Sequence, residues 1–148
     1  MEIKSNNEPE NKQENKLIFQ LKQYEKRKTI INYIYQSELE GNSKINVTEI
    51  FRNNDLNKHT LKILTIIEEK YDFLKKIICS TFNEDWTWER VLPLLRAILI
   101  YGSFELIFNK KEVVINELVN ITKIFMPGDY YKFVNKSLDL ISKIIEKK

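Results

Sequence analysis

From Trp88 or Glu89 to Phe108 the chain places Leu92, Leu95, Ile98, Leu99, Ile100, Phe104 and Leu106 around nearly the whole circumference of a helical wheel. No face of such a helix is left for water. It is stable only when other elements surround it, so this segment predicts a central buried helix with the rest of the chain wrapped about it. The whole chain holds only 3 glycines and 3 prolines, which disfavours a turn-rich all-β fold and favours long helices. With 148 residues and 43% hydrophobic content, one domain is the natural count, and it can bury a core without a disulfide or metal staple.

The remaining periodicities fill in the bundle. Residues 1–16 are almost devoid of apolar side chains and are rich in Asn, Glu, Lys and Gln, which predicts a disordered tail. A helix is expected over residues 17–40, with Leu17, Leu21, Tyr24, Ile31 and Tyr35 as its apolar stripe and Gly41-Asn42 as its stop. A short helix near residues 48–52 is followed by a longer one over 58–80, carrying Leu64, Ile67, Tyr71, Leu74 and Ile78. Residues 82–88 connect it to the central helix, where Pro93 lies in the first turns or marks a kink. Two more helices follow, over 111–125 (Val114, Leu118, Ile121, Phe125) and 130–147, with Met126-Pro127-Gly128-Asp129 between them. In the last, at roughly 100° per residue, Val134, Leu138, Ile141 and Ile145 share one side while Lys132, Lys136, Lys143 and Lys147 line the opposite one. The expectation is an all-α bundle of six or seven helices in two packed subdomains, with residues 17–148 as its single helical domain.

Chemistry that would mark an enzyme is missing from the sequence. His59 is the only histidine and Cys79 the only cysteine, so neither a zinc cluster nor a disulfide framework can be assembled. A nucleophilic triad would have to recruit His59 at a helix start. No glycine-rich phosphate loop is present, and the acidic pairs Glu68/Glu69 and Glu84/Asp85 read as solvated charge. No cofactor and no metal are expected. No apolar run approaches the roughly 20 residues of a membrane span, the start lacks a signal-peptide core, and the lone cysteine suits a reducing cytoplasm.

Binding therefore carries the functional reading. The net charge is only +3, but residues 91–148 hold nine cations against six acids. Lys22, Lys26, Arg27 and Lys28 cluster with Tyr24, Tyr33 and Tyr35, a mixture suited to phosphate contact and stacking on unpaired bases. The plainer alternative, tyrosines in the core and solvated cations, stays open. Asp129 is placed to cap the last helix through its carboxylate. Phe133 can stack or pack, and Asn135 has no evident structural need.

Several ordered segments resemble the NusB family of transcription antitermination factors. Lys132-Phe133-Val134-Asn135-Lys136-Ser137-Leu138-Asp139 is similar to the family's K-F-V-N-G-V-L-D, with Lys136 and Ser137 departing from it. Val113-Val114-Ile115-Asn116-Glu117 resembles V-V/A-I-N-E, and Arg96-Ala97-Ile98-Leu99 with Phe104-Glu105-Leu106 resembles R-A-I-L-R-x-x-x-Y-E-L. Arg27, Asn32 and Ile34-Tyr35 are similar to the family's first-helix pattern, although the arginine cluster before them is thinner here.

The resemblance implies a non-catalytic, all-helical protein that binds boxA-type single-stranded RNA of ribosomal leader transcripts. Its partners would be the ribosomal protein NusE and the RNA polymerase antitermination complex, with a homodimer also possible. On this chain it implies RNA contacts at Lys26, Arg27 and Tyr35 and at Asp129, Lys132, Phe133 and Asn135, with Leu95 and Arg96 on the protein-partner surface. Two alternatives accompany it: a helical protein-interaction adaptor that has lost RNA binding, and an accessory domain for a ribosomal RNA methyltransferase.

Overall fold

The computed structural model describes residues 8–146. Six helices follow one another: α1 (Glu8–Leu39), α2 (Val47–Asn53), α3 (Lys58–Ser80), α4 (Pro93–Phe108), α5 (Lys111–Phe125) and α6 (Tyr130–Glu146), with a 3-10 turn at Trp88–Arg90. Among the described residues there is no strand. The ends obey local chemistry. Gly41 takes the left-handed conformation (φ 75°) that stops α1. Asn46 and Asn57 accept the backbone N–H of Glu49 and Thr60 at 3.1 and 2.8 Å and so cap α2 and α3. Pro93 is the first residue of α4, where a missing N–H costs nothing; it is a start and not a kink.

α4 lies at the centre and touches α1, α3, α5 and α6. Leu95 and every residue from Ala97 to Leu106 are buried in it. Leu92, expected among them, is exposed. Gly102 leaves room for its neighbours, because a Cβ there would stand 2.8 Å from Leu138 Cδ2 of α6 and 3.3 Å from Leu118 Cδ1 of α5, and the Leu138 side chain would have to shift. Its bareness lets three helices converge. The stripes read for α3 and α6 face inward, with Ile145 half-buried near the C-terminal end of α6.

α1 departs from its expected form. Residues 1–7 lie outside the described residues, but 8–16 are helix, not tail. Their straight-chain Glu, Lys and Gln side chains propagate a helix readily once the packed half has nucleated it. At 1.5 Å per residue the 32-residue helix is roughly 48 Å long, and residues 11–22 are exposed all round. Leu17 and Leu21 are accordingly 58% and 57% exposed, and the buried anchors of α1 are Ile30, Ile31 and Ile34.

Two buried ion pairs bind α1 to α4. Arg27 grips Glu105 through two bonds, Nε to Oε1 at 2.8 Å and Nη2 to Oε2 at 3.0 Å, while Tyr101 donates to the same carboxylate at 2.6 Å. Three turns further along α1, Glu38 pairs with Arg96 Nε at 2.8 Å and accepts the Tyr71 hydroxyl of α3. Burial raises the pKa of both tyrosines, and the neighbouring carboxylates raise it further. Below about pH 10 both phenols are protonated in the folded and unfolded chains alike, and their contribution to stability is complete. Above it the unfolded chain releases protons that the folded chain retains, so stability is lost as pH rises. Thermal unfolding followed from about pH 8 upward should show a melting temperature that falls beyond about pH 10, less steeply in Tyr101→Phe; a flat profile would contradict the burial of these hydroxyls.

Candidate nucleic-acid interface

Three surfaces gather the side chains singled out from the sequence. The first is the outer face of α1. Lys22 and Lys26 are exposed, and among the described residues neither has an acidic partner. Lys28 pairs with Glu25 at 3.2 Å and lies 5.5 Å from the centre of the Tyr24 ring. Arg27 corrects the reading of this cluster. It is 7% exposed and committed to Glu105, with Glu117 Oε2 a further 3.9 Å from Nη1, so it offers nothing to a phosphate. One residue's rotation about the helix, about 100°, turns it from the lysine face into the bundle.

The second surface is an aromatic slot of about 320 Å³ between the connector after α3 and the start of α6. Phe133 packs its ring 5.6 Å from Trp86 and 6.3 Å from Phe82, within the range of attractive tilted pairs. Trp86 is nevertheless 43% exposed, so part of its ring remains open to a ligand. Pro127, Gly128, Asp129 and Tyr130 form the rim, and buried Leu95 lines the slot. Asp129 does not cap α6 through its carboxylate as the sequence suggested. Its carbonyl accepts the Lys132 N–H at 2.9 Å, and the carboxylate lies 3.7 Å from Lys132 Nζ. Asn135 and Lys136 are exposed and form no hydrogen bond or ion pair among the described residues. Of the lysine stripe on α6, Lys143 pairs with Asp139 at 3.3 Å, and Lys147 lies outside the described residues.

The third is an apolar groove of about 390 Å³ in which Tyr35 of α1 meets Leu94, Ile121 and Phe125. Tyr35 is half-buried there, and Phe125, expected in the core, is exposed because α5 ends at it. Leu95 and Arg96, expected at a partner surface, instead point inward. Arg96 holds Glu38, donates to the Trp88 carbonyl at 3.1 Å and stacks 5.8 Å from the Trp88 ring. Sequence reasoning passed over Trp86, although its place beside Trp88 in a polar connector was a signal. It also passed over the pairing of Glu38 and Glu105; the signal at Glu105 was a lone acid within an apolar helical pattern, whereas Glu38, close to Glu40 in a polar stretch, gave none. Among the described residues no group of three His, Cys, Asp or Glu side chains is placed to hold a metal ion, and no helix is long and apolar enough to cross a membrane.

Comparison with known proteins places these features in a family. Residues 24–143 match the NusB family. The transcription antitermination protein NusB of Campylobacter lari is 28% identical over 126 residues, covering 81% of this chain and 95% of that protein. The protein of the same name from Bartonella tribocorum is 37% identical over 89 residues, covering 57% of this chain and 56% of its own length. The solved structure of T. maritima NusB superposes with a TM-score of 0.69 at 23% identity, covering 81% of this chain and 89% of that one, and so shares the fold.

The inward turn of Arg27 has a measurable consequence. Arg27→Ala leaves Glu105 buried without its cation, and should cost about 3–5 kcal/mol in urea unfolding. A loss below about 1 kcal/mol would mean that the guanidinium is solvated instead.

Proposed function

The chain belongs to the NusB family, and from that premise we propose that it is a transcription antitermination factor that binds boxA-type single-stranded RNA together with the ribosomal protein NusE. It performs no covalent chemistry itself and works in the cytoplasm beside RNA polymerase. The observation that carries this reading is the open aromatic slot of Trp86 and Phe133, rimmed by Pro127–Tyr130, with the exposed Lys132 and the unpartnered Asn135 on either side of Phe133 in sequence. Unpaired bases bind by stacking on such rings, with amides and cations reading edges and phosphates. Lys22 and Lys26 on α1 supply the salt-dependent part. Since Leu95 and Arg96 are interior, the groove of Tyr35, Leu94, Ile121 and Phe125 is the better place to receive the protein partner.

Sequestration of Arg27 favours a second reading, an adaptor that holds the protein partner but no RNA. Gel-shift assays separate the two, because the adaptor retains the ribosomal protein and shifts no RNA. Under the first reading, fluorescence anisotropy with a boxA-type oligonucleotide should show tighter binding when NusE is added. Lys22→Ala/Lys26→Ala should reduce the slope of log K against log salt by about 1.4, as expected for two lost phosphate contacts on a single strand. Phe133→Ala should weaken binding by about 1–3 kcal/mol, the value of one stacked base. Full affinity in the combined Lys22→Ala/Lys26→Ala/Phe133→Ala variant would contradict the site.

A further inference from the structure

Between the C-terminal end of α1 and α2 lies a pocket of about 230 Å³ that no part of the preceding reading uses. Tyr33 forms one wall, and Gln36, Ser37, Glu49 and Asn53 supply polar groups around it. Ser37 is 5% exposed, and its buried hydroxyl has no hydrogen-bond partner. A buried hydroxyl without a partner is costly, and marks a place where a ligand atom would repay its desolvation. The carboxylate of Glu49 and the amides of Gln36 and Asn53 also bond to nothing among the described residues. The pocket therefore offers an aromatic face, a two-oxygen acceptor, amide donors and an unsatisfied hydroxyl.

Its position on α1 matters as much as its lining. At about 100° per residue Lys22, Lys26, Tyr33 and Ser37 fall within about 60° of one another, and Lys26 precedes Tyr33 by about 10 Å along the axis. A strand whose phosphates follow the two lysines thus arrives over the pocket. The acids Glu40 and Glu49 exclude phosphate from it but welcome a neutral base edge that donates hydrogen bonds. Among the four bases, guanine presents two adjacent donors, N1–H and the N2 amino group, with an acceptor (O6) beside them. A carboxylate can take both donors while an amide donates to the acceptor.

Resting on the RNA-binding reading above, we infer that this pocket accepts a single unpaired guanine of the bound transcript, stacked against Tyr33 and held by Glu49. The test uses the full chain and a Glu49→Gln variant, whose charge is removed while its shape and the Asn46 cap on its backbone N–H are kept. The probes are a fluorescent twelve-uridine oligonucleotide, the same strand with one central guanosine, and a third with inosine there, which lacks the N2 amino group. The guanosine strand should bind the native chain about fivefold or more tightly than the uridine strand, the discrimination of one bidentate pair. Inosine should lose most of that gain, and Glu49→Gln should bind all three alike, with affinity for the uridine strand unchanged. If the native chain binds the uridine strand and shows no preference for guanosine, or if Glu49→Gln retains the preference, the pocket assignment falls while RNA binding stands. If no strand binds at low salt, the RNA reading falls and takes the pocket with it. Free guanosine monophosphate competing as well as the guanosine strand would overturn the transcript as the source of the base.

Discussion

Two buried ion pairs of opposite sense fix how α1 lies on α4, and the rest of the bundle is arranged around that decision. Arg27 of α1 meets Glu105 of α4, and three turns on Glu38 of α1 meets Arg96 of α4. With the helices antiparallel, each cation finds an acid. Were α1 reversed on the same face, Arg27 would approach Arg96 and Glu38 would approach Glu105, and two like charges would be buried together at each end. A buried pair contributes little net stability against a hydrophobic replacement, yet an unpaired buried charge is severely costly. The pairs therefore act chiefly by excluding the wrong orientation. Tyr101 and Tyr71 complete the hydrogen bonding of the two carboxylates, and Tyr71 extends the second cluster to α3.

That arrangement takes two of the four arginines away from the surface. Arginine, planar and weakly hydrated, tolerates burial and bidentate pairing, and Arg27 is buried and Arg96 half-buried against their acids, whereas Arg52 and Arg90 stay exposed. Lysine keeps its hydration, and Lys22, Lys26, Lys132 and Lys136 remain outside. On the proposed function, electrostatic attraction for a polyanion would come from point charges on long side chains, and orientation would have to come from elsewhere. The aromatic slot of Trp86 and Phe133 would provide stacking faces for it. Phe133 sits one residue before the buried Val134 of α6.

Helix number, most helix limits and the inward faces of α3 and α6 were legible because each rests on a local signal: a glycine stop, or apolar residues at helical spacing. The start of α1 was not legible. Low hydrophobicity argued for a tail, whereas helical propensity and attachment to a packed helix decided the outcome at residues 8–16. Leu17 and Leu21 were misread for the same reason, since periodicity reports an apolar stripe but not whether anything covers it. Arg27 and Arg96 show the deeper limit. The choice between a phosphate and a buried glutamate as partner depends on residues 78 and 58 positions away, and no local pattern carries it. Family resemblance drew attention to Phe133, which is half-buried beside the slot, but Trp86, its stacking neighbour, lay outside every quoted motif.

The central claim is that outward lysines and the Trp86–Phe133 slot, and not the inward arginines, form the surface that holds a single-stranded transcript. Photochemical crosslinking of a 5-bromouridine-substituted RNA to the full chain, with the adducts located by mass spectrometry, examines that contact directly. The account expects adducts on the peptides that carry Trp86 and Phe133. Adducts confined to the outer faces of α2 and α3, or none under mild ionic conditions with the ribosomal partner present, would contradict it.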